Sequence, residues 1–138
     1  MSDRPRFVFD ANSLISAALF KGSTPDLAFR RALRDGTLLA SNATISELSA
    51  VLARRKFDRY LTCEERDLFL AKYIQRATLV DVTISVQLCR DPKDDMYLAL
   101  AQSGNANCIV TGDADLRDLG RFEDIVILTP KEFLTLPI

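Results

Sequence analysis

Two kinds of hydrophobic pattern alternate along this chain. Short runs crowded with aromatic and β-branched residues predict buried strands at Arg6–Asp10, Leu38–Ala40, Leu79–Val82, Cys108–Thr111 and Ile125–Leu128. Between them, apolar residues recur at helical spacing. Leu14 to Phe20 reads as a helix directly after the first strand, making a βα unit. Thr24-Pro25 supplies an N-cap and a proline at the first helical position for a helix carrying Leu27, Ala28 and Leu33, and Gly36 ends it. Asn42 or Thr44 starts the next, with Ile45, Leu48, Val51 and Leu52 on one stripe running to about Arg55. Thr62-Cys63-Glu64-Glu65 is a capping-box pattern opening a helix through Arg76. Arg90-Asp91-Pro92-Lys93 turns into a helix from about Asp94 to Ser103, whose run Met96 to Ala101 is apolar on every side and therefore expected to be buried. Thr129-Pro130-Lys131-Glu132 opens a short terminal helix. Strands alternating with helices predict an α/β fold of three layers, its mainly parallel sheet covered on both faces.

The chain has 138 residues, which fits one domain over 1–138. A domain of this size buries roughly 68% of the surface its unfolded chain exposes, enough for a real core. Hydrophobic residues at 48% and charged residues at 27% place it far from the disordered regime. Lys and Arg number 18 against 19 Asp and Glu, so net charge does not advertise a nucleic-acid partner and leaves room for a local basic surface. Cys63, Cys89 and Cys108 are odd in number and lack Cys-x-x-Cys spacing, which argues for reduced, buried thiols. Met1 to Arg6 leads straight into the first strand without a signal-peptide core, and no apolar run is long enough to span a membrane; the expected compartment is the cytoplasm.

Histidine is absent from the sequence. That excludes a histidine general base, a Ser-His-Asp arrangement and a histidine-ligated zinc site, and leaves carboxylates as the chemical resource. Four are placed to matter. Asp10 and Asp113 follow strand candidates at their C-terminal ends, where open parallel sheets carry their sites. Glu47 lies beside the buried stripe of its helix, and Asp95 aligns with Leu98 and Ala99 on the apolar helix, a face expected to turn toward the sheet edge. Each also has a plainer explanation. Thr44-x-x-Glu47 is itself a capping-box spacing, Asp94 and Asp95 sit where a helix N-terminus attracts acids, and Gly112-Asp113 is ordinary turn chemistry. Asp10, directly after Phe7-Val8-Phe9, needs hydrogen bonds or a cation. Were all four to converge within about 5 Å, they would repel by roughly 3 kcal/mol per pair at an effective dielectric near 20, so convergence implies protons or divalent cations. Oxygen-only ligands favour Mg²⁺ or Mn²⁺.

The segments Phe9-Asp10-Ala11-Asn12-Ser13-Leu14-Ile15, Ser46-Glu47-Leu48 with Val51-Leu52, Asp91-Pro92-Lys93-Asp94-Asp95, and Ile109-Val110-Thr111-Gly112-Asp113-Ala114-Asp115-Leu116 resemble, in order, the motifs of the PIN domain family. Leu128-Thr129-Pro130-Lys131-Glu132-Phe133-Leu134 is similar to that family's closing strand and helix. The resemblance spans nearly the whole chain and is strongest to the bacterial and archaeal branch of stand-alone toxin components, related to VapC-type toxins. It implies a PIN-like fold and a metal-dependent endoribonuclease, with Asp10, Glu47, Asp95 and Asp113 matching the acidic quartet that holds Mg²⁺ or Mn²⁺. Asp94 and Asp115 are the ambiguous neighbours: the helix that follows favours Asp95, and the Thr-x-Asp spacing favours Asp113. Asn12, Ser13 and Thr111 match polar positions around the pocket, where they would orient carboxylates or waters.

Metal-activated water attacking in line would leave 5′-phosphate and 3′-hydroxyl ends without use of the RNA 2′-hydroxyl. The resemblance further implies a homodimer and a small antitoxin protein that blocks the acidic groove by inserting an arginine. For RNA contacts the sequence offers Lys93, near the pocket along the chain, and the group Arg54, Arg55, Lys56 and Arg59, which follows the Glu47 helix, whereas the group Arg30, Arg31 and Arg34 reads sooner as a solvated helix face. The alternative function is a non-catalytic PIN-like module that binds RNA or protein. A phosphoacceptor receiver domain fits less well because it needs an acidic pair at the first strand, and a haloacid-dehalogenase-like phosphatase because it needs Asp-x-Asp where this chain has Asp10-Ala11-Asn12.

Overall fold

Phe7 and Phe9, two residues apart on the first strand, project to the same face of the sheet and meet one aromatic ring from the C-terminal helix: Phe133 stands edge-on to both, at centroid distances of 4.8 and 5.7 Å. Phe29 continues the cluster against Phe9 at 6.3 Å. This packing seats the first strand at the middle of the molecule. The description rests on a computed structural model that covers residues 4–137. Met1 to Asp3, read above as part of the lead into the first strand, and Ile138, the end of the expected domain, lie outside the described residues.

The strands are β1 (Arg6–Phe9), β2 (Thr37–Ala40), β3 (Thr78–Leu79), β4 (Cys108–Val110), β5 (Arg121–Phe122) and β6 (Ile125–Leu128). The helices are α1 (Ala11–Leu19), α2 (Thr24–Asp35), α3 (Asn42–Leu52), α4 (Cys63–Arg76), α5 (Asp95–Ser103), α6 (Ala114–Leu119) and α7 (Pro130–Leu134), with 3₁₀ turns at Arg55–Phe57 and Pro92–Asp94. The sheet runs β3-β2-β1-β4-β6-β5 and is parallel throughout except for β5, which pairs antiparallel with β6. Helices cover it on both sides, so the expected three-layer α/β/α architecture with a mainly parallel sheet is what the chain adopts. β1 pairs with β2 on one side and β4 on the other, so the chain's direction of winding reverses there. Such a switch point opens a crevice beyond the C-terminal ends of the two strands. Asp10 follows β1 and Thr111 follows β4, which brings the two motifs to that crevice.

Several helix starts follow the sequence. Thr62 and Glu65 form the capping box of α4, and Thr129 and Glu132 that of α7. Others shift. Ser23, not Thr24, caps α2, with Pro25 in its first turn. α3 opens on a capping box between Ser41 and Thr44, so Glu47 has no part in it.

The expected strand Leu79–Val82 is shorter and earlier, pairing only at Thr78–Leu79. The next stretch, Val80 to Leu88, alternates apolar and polar residues but is not laddered; Val80, Val82 and Val86 pack on the core while Ile84 and Leu88 stay exposed. β5 and α6 went unread because two and six residues are too few to show a period. The cysteines differ from the expectation of burial in one case: Cys108 is buried and Cys89 partly so, but Cys63 is exposed in the first turn of α4.

Candidate active site

Asp10 is almost wholly buried and its two carboxylate oxygens are divided between two donors. Oδ1 accepts from the Ser13 backbone N–H at 2.9 Å, capping α1, and Oδ2 accepts from the Thr111 hydroxyl at 2.5 Å. Capping α1 therefore does not exhaust this carboxylate, since each oxygen keeps a lone pair free for a further ligand. Burial raises the Asp10 carboxyl above the usual range, and the Asp113 charge adds to this, against the hydrogen bonds from Thr111 and Ser13. Thr111, fully buried, also accepts from the Asp113 backbone N–H at 2.9 Å, so one hydroxyl ties the two acids together. Asp113 caps α6 by accepting from Leu116 N–H at 3.1 Å.

Asp10, Glu47, Asp94 and Asp113 line a single cavity of about 230 Å³, together with Asn12, Asp91, Lys93, Arg54, Val51 and Tyr97. Glu47 reaches it from the same helix face as Val51, as the spacing suggested. One oxygen each from Asp94, Asp113 and Asp115 lie within 4.8 Å of one another, the one such three-acid cluster among the described residues. Asp115 is at the margin, 3.8 Å from Arg90 and outside the lining of the acidic cavity. Burial, a hydrogen bond shared with Asp113, and the charges of Asp113, Asp91 and Asp10 push the Asp94 carboxyl up to about 7. Asp94 and Asp113 thus lie close enough that either a proton or a cation between them would relieve their repulsion. None of Asp10, Glu47, Asp94 and Asp113 forms an ion pair among the described residues. An all-oxygen donor set of this charge fits a hard divalent ion.

Asp95 is the departure from expectation. Its Oδ1 accepts from the backbone N–H groups of Leu88 and Cys89, at 3.1 and 2.8 Å, and it lines a separate cavity of about 420 Å³ with Asp81, Val82 and Met96. Burial alone would raise its carboxyl, but those two N–H groups hold it below the usual range. It shares that cavity with Ala99, and the helix face they define does not lead to the acidic cavity. Asp94, one residue earlier, shares a face with Tyr97 and does.

Tyr97 and Asp91 were not anticipated. Tyr97 is buried, and its hydroxyl oxygen accepts from the Ala11 N–H at 3.1 Å, joining α5 to the start of α1. A tyrosine inside an otherwise aliphatic helix, three residues after an aspartate, was the available signal. Asn12 is exposed at the cavity, whereas Ser13 is buried, gives its backbone N–H to Asp10, and has a hydroxyl with no hydrogen-bond partner. Of the basic candidates, Lys93 and Arg54 line the cavity and Arg55 does not.

A family model described as the PIN domain matches residues 6–115, and the chain belongs to that family. Comparison with curated proteins returns no match. Solved structures are similar in fold. VapBC2 from Rickettsia felis, bound to a DNA fragment from its promoter, superposes at a TM-score of 0.61 with 12% identity, over 88% of this chain and 96% of that one. DNA-bound VapBC from Salmonella typhimurium gives 0.61 with 19% identity, over 91% and 98%. VapC20 from Mycobacterium tuberculosis, described as a sarcin-ricin loop cleaving toxin, gives 0.57 with 14% identity, over 85% and 97%.

Proposed function

We propose that the chain, as one domain over residues 1–138, is a metal-dependent endoribonuclease and the toxin of a toxin–antitoxin pair. The observation that carries this reading is the convergence of Asp10, Glu47, Asp94 and Asp113, with Asp91 beside them, on one cavity, none of the five in an ion pair among the described residues. Those four would hold Mg²⁺ or Mn²⁺, with Asp94 in the place the sequence motif gave to Asp95, and Asp115 at the rim. When bound, the ion would activate water and offset charge on the phosphate and leaving oxygen.

The chain's own side chains do the rest. Thr111 fixes Asp10 by its hydroxyl and Asp113 through that residue's N–H, and such second partners keep a carboxylate in its working orientation. Tyr97 holds the α1 N-terminus in place through Ala11. Lys93 and Arg54 stand at the mouth as phosphate contacts.

Family membership and the VapBC complexes among similar folds support a small antitoxin as partner. A homodimer and a cytoplasmic location complete the proposal; no helix of the described residues is long and apolar enough to cross a membrane. The test is cleavage of end-labelled single-stranded RNAs with Mn²⁺ or Mg²⁺, with EDTA, and with Asp10→Asn protein. Cuts that need the metal and vanish in the variant support the reading; cuts retained by Asp10→Asn would sink it.

A further inference from the structure

The two basic groups of the chain differ in what occupies them. In α2, Arg30 pairs with Asp26 at 3.2 Å, Arg34 with Asp35 at 3.0 Å, and Arg31 lies 3.8 Å from Asp35 while donating to the Phe133 and Leu136 carbonyls. Those cations are spent on structure. In the turn after α3, Arg54, Arg55, Lys56 and Arg59 are all exposed, and none pairs with a carboxylate among the described residues. The one acid in their midst, Asp58, is taken by Arg66 at 2.7 Å.

Two aromatic side chains stand beside them. Tyr60 and Phe20 are 49% and 51% exposed, large values for rings of this size, and meet edge-on at 5.8 Å. The Arg59 guanidinium sits 5.6 Å from the Tyr60 ring. The strip meets the acidic cavity at Arg54, which lines it, and Phe20 stands at the far end of the helix that Asp10 opens. At 1.5 Å per residue, α1 separates Asp10 from Phe20 by about 15 Å. A polymer crossing the cavity would therefore reach the aromatic pair a few nucleotides from the acids.

Unpaired cations follow a phosphate backbone, and exposed rings hold bases whose faces are free. From this we infer that Tyr60 and Phe20, flanked by Arg54, Arg55, Lys56 and Arg59, form a platform for single-stranded RNA on which an unpaired base stacks. The inference rests on the nuclease reading for the identity of the polymer. A duplex, its bases already stacked on one another, would meet only the cations.

Fluorescence anisotropy of the intact chain in EDTA tests it, using a labelled oligouridylate of about 12 nucleotides, within the range of single-strand sites, and an RNA duplex of equal length. Tyr60→Ala is expected to weaken single-strand binding about tenfold and Tyr60→Phe to restore it, with duplex binding unmoved by either. Neutralising Arg55 and Lys56 together is expected to lower the single-strand salt slope by about 1.4. No single-strand binding, an unchanged affinity in Tyr60→Ala, or an equal loss on the duplex would overturn the platform. Cleavage is assayed separately with metal. Platform binding without cleavage would remove the nuclease reading alone, and cleavage with Tyr60-independent binding would remove the platform alone.

Discussion

Asp94 and Asp95 are adjacent in sequence, yet their carboxylates serve different cavities. Asp94 lies with Asp10, Glu47 and Asp113, while Asp95 is turned onto the N–H groups of Leu88 and Cys89. A 3₁₀ turn ends on the first and α5 begins on the second, so about 100° of helical rotation separates Asp94 from the neighbour that the motif favours.

That division gives opposite expectations for the pair. Asp95→Ala is expected to lower stability by about 1–2 kcal/mol, since two backbone N–H groups lose their acceptor and the stretch before α5 loosens. Its Mn²⁺ affinity, read by calorimetry, is expected to stay at the wild-type value. Asp94→Asn is expected to lose Mn²⁺ binding without loss of stability in denaturant. A reversed pattern would return Asp95 to the metal set.

Thr111 is the second point of leverage. Replacing it by valine keeps the shape of a fully buried side chain but leaves Asp10 and the Asp113 N–H short of a partner, at a cost of about 1–3 kcal/mol. Because the hydroxyl orients a proposed ligand, Mn²⁺ affinity is expected to fall about 10–100-fold. Unchanged affinity would show that Asp10 needs no such support.

The acidity of the site sets a pH dependence. The Asp94 carboxyl, pushed up to about 7, and the buried Asp10 carboxyl, also raised, keep protons that the unfolded chain gives up near the ordinary 3.8. Between those limits the folded state binds more protons than the unfolded one, so the stability of the metal-free protein falls as pH rises from about 4 to about 7. A divalent ion takes the protons' place, so its affinity rises through the same window and its stabilising effect is largest at and above pH 7. Melting curves with EDTA and with Mn²⁺ across this range are the check. Parallel pH profiles with and without metal would show that no shared proton is displaced.

Glu47 offers a different contrast, because Ser41 and Thr44 have already capped its helix. Glu47→Gln removes one negative charge from the cavity and no cap. Metal-free protein is expected to melt at the same temperature or slightly higher, and the Mn²⁺-induced rise is expected to shrink. A loss of metal-free stability would mean that Glu47 holds the fold instead.

Much of this architecture was legible because it depends on local pattern. Phe7-Val8-Phe9 and Ile109-Val110 announce central strands, and Glu65 and Glu132 sit three residues past their caps. That Asp10, Glu47 and Asp113 would face one cavity was legible for the same reason, each being tied to the end of a strand or to one helix face. What could not be read depends on rotation and on long-range partners. The choice between Asp94 and Asp95 turns on where the 3₁₀ turn hands over to α5, and boundaries are the weakest part of any pattern. The separation of free from paired arginines needed Asp26, Asp35 and Asp58 in space. Val80 to Leu88 has the period of a strand, but a ladder requires a neighbour, and the sequence cannot say where the sheet ends.

The most direct test of the central claim, that Asp94 and not Asp95 completes a metal-dependent ribonuclease site, is cleavage of one end-labelled single-stranded RNA in Mn²⁺ by the wild type, Asp94→Asn and Asp95→Asn proteins side by side. Wild type and Asp95→Asn are expected to cut at the same positions, with Asp94→Asn silent. Equal cutting by Asp94→Asn, or cutting that survives EDTA, would contradict the account.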